Sequence, residues 1–456
     1  MKRAALHNLG CKVNAYETEA MQQMLEQAGY EIVPFSEQAD VYVINTCSVT
    51  NIADRKSRQM LHRARRLNPD AVLVAAGCYV QAAGPEHLEE GIADIILGNN
   101  KKENLIAMLD AYNGRKTPLS DWEDINDGKK EYEKLAISRV SEHTRAFIKI
   151  QDGCSQFCSY CVIPYTRGRV RSRPYGDILD EVQTLAQNGC QEVVLTGIHI
   201  SSYGTDFRTG GYSCQQTEDP GAMQAGIRIH PLLHVIKGIQ EISGIRRIRL
   251  GSLEPRIMTE DFVQTLAGMD KVCPHFHLSL QSGCDTVLKR MNRKYNTKEY
   301  AQKCALLRKY FTSPAITTDV IAGFPMETEE EFLETKQFLQ EIQFYEMHIF
   351  KYSRRKGTKA AAMDGQIPEA VKTSRSAQLI ALGEQMSKAY RKSFIGEQKS
   401  VLLEESFVYD GKTYETGYTQ EYIKIAIESA KNRSNIFVRG KITGYLTQDI
   451  YLMVEF

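Results

Sequence analysis

The sequence of 456 residues predicts an α/β chain in three parts: a doubly wound N-terminal layer, a central partial (βα)6 barrel and a small C-terminal antiparallel β-barrel. Three observations predict it. Short apolar runs alternate with helical patterns over residues 1–112, the same alternation returns over 139–375, and from residue 392 onward short strands follow one another across Gly and Asp-Gly turns. The length suits about three domains of ~150 residues.

In the first part, apolar runs at residues 4–9, 41–44, 71–76 and 95–97 are each followed by a helical pattern. Continuous stretches such as AVLVAA are what a parallel strand covered on both faces requires. Asn14, with Glu17 three residues on, has the spacing of a helix N-cap and its reaching partner. Residues 113–138, polar and charged around the single Trp122, read as a surface linker. Strand candidates then fall at 146–150, 192–195, 246–250, 275–280, 316–321 and 347–350, separated by helical patterns such as 178–187 and 329–339. Six such units are too few to close an eight-stranded barrel, so the sheet should stay open. An insertion at 205–225, rich in Gly, Thr and Gln, interrupts the alternation. In the last part Tyr409, Tyr414, Tyr418 and Tyr422 interleave with Lys412 and Lys424, a pattern that suits stacking on RNA and neutralising its phosphates, and equally suits a barrel core and rim.

Lys and Arg number 57 against 56 Asp and Glu, so no global field attracts nucleic acid and any basic surface must be a local patch. No run approaches the ~18 apolar residues of a membrane helix, and MKRAALHNLG turns polar too soon for a signal peptide. A soluble, cytoplasmic protein is expected. The odd total of 11 cysteines, with no secretory segment, argues against a disulfide framework and for a reducing compartment.

Cys154, Cys158 and Cys161 form a C-x3-C-x2-C set with no fourth ligand at short spacing. A structural zinc site would normally close with four. A cubane iron–sulfur cluster on three thiolates keeps one iron open to bind and reductively split a ligand, the mark of S-adenosylmethionine radical chemistry. Cys11, Cys47 and Cys78 each leave the carboxyl end of a predicted parallel strand, where ligands of open α/β sheets gather. They therefore read as a second three-thiolate set, against the plain alternative of buried core cysteines. Cys190, Cys214, Cys273, Cys284 and Cys304 share no such logic and read as structural thiols, and His7, His199 and His348 as packed rather than ligating residues. Two basic runs suit phosphate contact. One holds Arg55, Lys56, Arg58, Arg63, Arg65 and Arg66; the other holds Arg167, Arg169, Arg171 and Arg173 beside the triad. Arg55, Arg58, Arg169, Arg171, Arg173, Lys412 and Lys424 are the RNA candidates, while Lys289, Arg290, Arg293 and Lys294 read as surface charge.

The triad together with HNLGCKVNAYE, INTCSVT, AAGCYVQ, HLSLQSGCD, DVIAGFPMET and FKYSRRKGTKA resembles the radical S-adenosylmethionine methylthiotransferases over nearly the whole chain. LGCKVN, CSVT and LTGIHISSYG look most like the bacterial subgroup acting on N6-threonylcarbamoyladenosine beside the tRNA anticodon. The subgroups acting on isopentenyladenosine in tRNA, or on an aspartate of a ribosomal protein, share the architecture. The resemblance implies a C-terminal barrel of the TRAM type, two 4Fe-4S clusters, and two S-adenosylmethionine molecules per methylthio group placed on C2. It implies chemistry carried by the clusters, with no side-chain acid or base. It places S-adenosylmethionine on Thr196, Gly197 and Ile198 (amino group), Ser279 and Gln281 (ribose), and Ile321 with Ala322 (adenine). Glu254 would face the same ligand or cap a helix. Ser279 and Gln281 are expected to point one way along an alternating strand. The implied partners are the tRNA anticodon stem-loop and an external electron donor such as flavodoxin or ferredoxin, with no membrane. A non-catalytic iron–sulfur electron carrier is the alternative of another class.

Overall fold

In the first sheet successive residues of the inner strands are buried on opposite faces, so helices must cover both. The computed structural model describes residues 1–88, 91–112, 117–140, 144–207, 230–429 and 431–456. Strands β1 (Arg3–Asn8), β2 (Glu31–Ile32), β3 (Val41–Thr46), β4 (Val72–Gly77), β5 (Ile95–Leu97) and β6 (Leu119–Asp121) form a parallel sheet in the order β2-β1-β3-β4-β5-β6. Ala5, Ile44 and Ala75 pack on one side with Leu61 and Ala64 of α2 (Asn51–Leu67) and Val80 of α3 (Cys78–Ala83). Ala4, Val43 and Val74 pack on the other with Met21 and Leu25 of α1 (Lys12–Gln27) and Leu105 of α4 (Leu105–Tyr112).

Two expectations change here. The cap of α1 is Cys11, whose extended backbone precedes the first turn, and Asn14 lies inside the helix. Asn14 is buried and its amide donates to the carbonyls of Leu9 (2.7 Å) and Thr46 (3.0 Å), so it ties two loops together instead of capping. The segment read as a surface linker supplies strand β6, and its Ile125, Glu133, Leu135 and Ile137 are buried. Its polar groups are spent inside: Tyr16 Oη donates to Leu135 O at 2.7 Å and Ile137 N to Glu181 Oε1 at 2.7 Å.

The central barrel uses six parallel strands: β7 (Arg145–Asp152), β9 (Glu192–Gly197), β10 (Arg247–Leu250), β11 (His275–His277), β12 (Ala315–Ala322) and β13 (Glu346–Lys351). Short β8 (Arg171–Ser172) runs antiparallel on the outer edge of β7, and single bridges at Ile248–Val272 and Leu253–Leu278 join the two halves. One apolar core fills the space between these strands and helices that include α5 (Tyr175–Gln187). β11 ends earlier than the 275–280 run suggested. Gln281 takes φ +78°, which turns the chain and breaks the alternation that would have pointed Ser279 and Gln281 the same way.

The C-terminal barrel closes in the order β14-β15-β16-β18-β17, from β14 (Gln398–Tyr409), β15 (Lys412–Tyr418), β16 (Lys424–Glu428), β17 (Phe437–Tyr445) and β18 (Tyr451–Glu455). It is antiparallel except where β16 meets β18 in parallel. It docks against the amino-terminal ends of the central strands: Arg247 donates to Tyr418 O (2.8 Å) and Ser400 O (2.7 Å), and Arg249 to Thr419 O and Gln420 O (2.7 Å each). Among the described residues no helix is long and apolar enough to cross a membrane. Most of the 205–225 insertion, and Cys214 within it, lie outside the described residues.

Candidate active site

The first thiol set stands at the carboxyl ends of three adjacent strands, because β1, β3 and β4 pair side by side in register. Cys11 follows β1, Cys47 follows β3 and Cys78 opens α3 after β4. At Gly10, φ is +111° and a β-carbon would lie 3.0 Å from Cys47 Sγ, so only glycine lets the two loops approach. Burial first, then repulsion from Cys78 and Cys11, pushes the Cys47 thiol up to about 11. Cys11, an exposed residue whose thiol is crowded from water by the surrounding protein, is also raised, with the Arg167 guanidinium pulling the other way. Thiols that raise one another's proton affinity are a set that a shared cation relieves, which fits a metal cluster held by thiolates. Asn99 Nδ2 reaches Cys78 Sγ at 3.6 Å and also donates to Thr166 O at 2.7 Å, in the turn that follows Cys161. One amide thus ties the two cysteine regions together.

The second set lies in the loop after β7. Gly153 has φ +69°, and a β-carbon there would meet Arg169 O at 1.9 Å. The loop is held by Cys154 N to Gly168 O (2.9 Å), Cys161 N to Cys158 O (3.0 Å), Ser159 N to Met291 O (3.0 Å) and Asn292 Nδ2 to Phe157 O (2.9 Å). Burial, with repulsion from Cys158, pushes Cys154 up to about 11 and Cys161 to about 12. Arg293 Nη1 donates to Cys158 Sγ at 3.2 Å while its Nη2 donates to Ser279 O at 3.3 Å. Three half-buried, mutually repelling thiols beside a fixed guanidinium fit a cluster with three protein ligands.

Several residues expected to hold S-adenosylmethionine gather round this loop. Ser279 shares Arg293 with Cys158, and its carbonyl also accepts from Tyr295 Oη at 2.5 Å. Glu254 is buried, accepts from Arg256 Nε at 2.6 Å, and its charge acts on Cys154. It caps no helix with its side chain; its backbone N donates to Ser201 Oγ at 2.9 Å, which joins it to the loop following Thr196, Gly197 and Ile198. Thr196 is buried at the end of β9 and Gly197 pairs with Gln151, whose Oε1 accepts from His199 N at 2.7 Å. Gln281 is buried further along, its N donating to Asp319 O and its O accepting from Ile321 N (2.9 Å each), with Ala322 buried beyond. His199, neutralised by burial and by Arg293 and Arg256 to about 4, holds Ser202 at 2.7 Å through Nδ1.

The basic candidates divide. Arg171 and Arg173 are buried and engaged, Arg171 Nη1 donating to Arg167 O at 2.8 Å and Arg173 Nη1 to Glu181 Oε2 at 2.5 Å, so neither faces RNA. Arg167 is wholly buried against Glu17 (2.8 Å), Asp152 (3.1 Å) and Asn14 (2.7 Å). Arg169 is exposed, its guanidinium 4.2 Å from the ring centre of Phe157. Arg55 is exposed on α2, and Arg58 lies 5.7 Å over Tyr79. Lys412 faces Glu428 at 2.9 Å and Lys424 faces Glu405 at 3.0 Å. Tyr418 and Tyr422 stack on each other at 4.6 Å and carry Arg145 at 4.9 and 5.0 Å, so these rings belong to the docking seam; Tyr414 is buried and Tyr409 exposed.

Sequence reading missed Arg293, which it left on the surface, and Arg290, which pairs with Glu331 at 2.5 Å. It also missed His277, Asp319 and His348, whose ligand atoms lie within 4.8 Å of one another across β11, β12 and β13. His277 opens HLSLQSGCD and Asp319 opens DVIAGFPMET, but the three residues are far apart in sequence, and only the parallel pairing of β11, β12 and β13 brings them together.

Residues 3–98 match the family model described as "Uncharacterized protein family UPF0004", and residues 148–339 match the Radical SAM superfamily. A relative named threonylcarbamoyladenosine tRNA methylthiotransferase MtaB from Bacillus subtilis is 39% identical over 443 residues, 97% of this chain and 94% of its own. The protein of the same name from Aquifex aeolicus is 37% identical, covering 94% and 97%. A tRNA-2-methylthio-N(6)-dimethylallyladenosine synthase from Moorella thermoacetica is 35% identical, covering 87% and 85%. Among solved structures, the radical S-adenosylmethionine methyltransferase TsrM from Kitasatospora setae superposes with a TM-score of 0.50 at 15% identity, over 77% of this chain and 73% of that one, a likeness of fold alone.

Proposed function

The chain belongs to the radical S-adenosylmethionine methylthiotransferases, and from that premise we propose that it methylthiolates C2 of N6-threonylcarbamoyladenosine in tRNA, next to the anticodon. The observation that carries the reading is the pair of three-thiolate sets on the carboxyl ends of two parallel layers, tied together through Asn99. Cys154, Cys158 and Cys161 would hold one 4Fe-4S cluster and Cys11, Cys47 and Cys78 the other. When bound, such clusters supply what no side-chain acid or base can: a carbon radical from S-adenosylmethionine to take hydrogen from C2, and a site that hands over sulfur. The chain's own residues position and shield. Arg293 holds the Cys158 sulfur and the Ser279 carbonyl in one guanidinium plane, which fixes the loop that would carry the ligand's ribose. Glu254, Thr196, Gly197 and Ile198 would take its amino end, Ile321 and Ala322 its adenine. Tyr160, Phe324 and Tyr352 keep the region behind the loop apolar. Arg55 and Arg169, both exposed, and the partly exposed Arg58 would meet RNA phosphates, and a flavodoxin or ferredoxin would supply electrons.

The test is anaerobic incubation of the reconstituted protein with S-adenosylmethionine, a low-potential reductant and anticodon stem-loop RNA bearing either the threonylcarbamoyl or the dimethylallyl group. Mass spectrometry of the nucleosides should show the methylthio product from the first RNA. Product from the dimethylallyl RNA alone would overturn the assignment, and failure to form 5′-deoxyadenosine at all would leave an electron carrier.

A further inference from the structure

The inner wall of the central barrel carries a nitrogen and oxygen donor set that is separate from both groups of cysteines. Along β11, β12 and β13 side chains alternate between two faces. Phe276, Ile316 and Val320 enter the apolar core beneath the helices, and Met347 and Ile349 pack against it. His277, Asp319 and His348 take the opposite, inward face, where parallel pairing sets Asp319 beside His348 and His277 beside Thr317. One ligand atom from each of the three lies within 4.8 Å of the other two. Ile321 follows Asp319 on the same face of β12, so the set lies one side-chain layer from the residue expected to meet the adenine of S-adenosylmethionine.

The three side chains do not satisfy one another. His277 Nδ1 and Thr317 Oγ1 share a hydrogen bond at 3.0 Å, which fixes the ring with its other nitrogen toward Asp319. That Nε2 is buried and makes no hydrogen bond, although Asp319 Oδ2 stands 3.2 Å away. A charged pair alone would close this bond; a cation coordinated by both atoms would use both lone pairs instead. His348 lies across the His277 ring, with centres 5.8 Å apart and planes 24° from parallel, and it is exposed, so its ring is free to turn. Arg249 on the neighbouring β10 is committed to Glu192 at 2.6 Å and to carbonyls of the C-terminal barrel, and makes no claim on Asp319.

Bonds of about 2.0–2.2 Å from an ion to nitrogen and oxygen place neighbouring ligands of a tetrahedron about 3.4 Å apart. His277 and Asp319 already stand close to that separation, and a turn of the exposed His348 closes the rest. Two imidazoles and a carboxylate suit a borderline divalent ion better than Mg²⁺ or Ca²⁺, which prefer oxygen alone. We infer that His277, Asp319 and His348 bind a single divalent transition ion of the Zn²⁺ type inside the central barrel. It is a metal centre without sulfur ligands, additional to the two cysteine sets, and its remaining positions open on the barrel interior. The site does not depend on which nucleoside the enzyme modifies.

The experiment takes the reconstituted protein with its clusters in place, passes it over a chelating resin and titrates it anaerobically with Zn²⁺ alone and with Mg²⁺ alone, by isothermal titration calorimetry. Wild type should take up a single Zn²⁺ per chain with iron and sulfide content unchanged, and Mg²⁺ should bind at least ~100-fold more weakly. X-ray absorption at the zinc edge should show nitrogen and oxygen neighbours with the outer-shell pattern of imidazole. His348→Ala removes an exposed ligand, and Asp319→Asn keeps the shape of the carboxylate while removing its charge. Each should weaken Zn²⁺ binding by at least ~10-fold. The wild-type absorption spectrum decides the ligands even if a variant fails to fold. Sulfur neighbours in that spectrum, equal affinity for Mg²⁺, binding that either variant leaves unchanged, or no Zn²⁺ uptake by wild type would each overturn the inference.

Discussion

Arg293 is the residue whose place in the molecule differs most from its place in the sequence. In MNRKYN it reads as one more surface charge, because a loop has no periodicity to say which side faces inward. In the structure its guanidinium spans Cys158 Sγ and Ser279 O and lies 4.8 Å over the Tyr295 ring. A cation donating to a cluster thiolate favours the reduced, more negative state. Arg293→Gln should therefore keep its iron but show a more negative reduction potential, with slower formation of 5′-deoxyadenosine. Redox titration followed by electron paramagnetic resonance reads the potential, and an unshifted value would refute the role. The placement of the cysteines was legible where that of the arginine was not, since a short spacing and a strand end are both written in the chain, and the structure sets Cys11, Cys47 and Cys78 at the ends of adjacent strands. Arg171 and Arg173 show the opposite error: alternating arginines after the triad look like a phosphate comb, yet Asp152 and Glu181, distant in sequence from most of them, draw them inside.

At the scale of elements, strands buried on both faces announced themselves as continuous apolar runs, and the six parallel strands of the central barrel fell on those runs, β11 covering only the first half of its own. What composition concealed was edge structure. Residues 117–138 are polar enough to look like a linker, but a sheet edge and an interdomain seam can be built from polar residues whose partners lie elsewhere. Tyr418 and Tyr422 were concealed in the same way, since an aromatic ring that packs a seam and one that stacks on RNA have the same sequence signature. Tyr422, with φ +71°, receives Tyr418, His275, Arg145 and Arg249 around one ring. Truncating a fully buried aromatic costs roughly 3–5 kcal/mol, and a half-buried one such as Tyr422 costs less. Tyr422→Ala should loosen the C-terminal barrel from the central one with both clusters retained. Hydrogen exchange would show faster labelling in β14 and β16 than in β7 or β12; uniform protection would mean the seam is held by the arginine–carbonyl bonds alone.

Across the whole molecule, the N-terminal layer, the connecting segment and the central barrel are locked by one buried ionic network. Glu17 of α1 meets Arg167 at 2.8 Å, Lys149 at 2.7 Å and Lys102 at 3.4 Å; Lys149 also meets Asp152 at 2.7 Å, and Lys102 meets Glu133 at 3.7 Å. With Arg171 beside Asp152, four cations face three carboxylates. The surplus charge lies by Cys78, whose negative form raises the proton affinity of Arg167, so a thiolate held by metal would complete the balance. Burial alone would raise the Glu17 carboxyl, but Arg167, Lys102 and Lys149 outweigh it and hold it well below its ordinary 4.5. A carboxyl depressed in the folded state lends stability that is whole above its unfolded value and is lost as pH falls through the folded one. Glu17→Gln, which leaves three buried cations short of one charge, should cost about 3–5 kcal/mol at neutral pH. Because the glutamine cannot titrate, the variant should also lose less stability than wild type as pH drops below the ordinary carboxylate range. Thermal midpoints of the two anaerobic holoenzymes, taken at neutral pH and again near pH ~4, decide it. Parallel acid sensitivity would show that Glu17 is not the hub on which the domains turn.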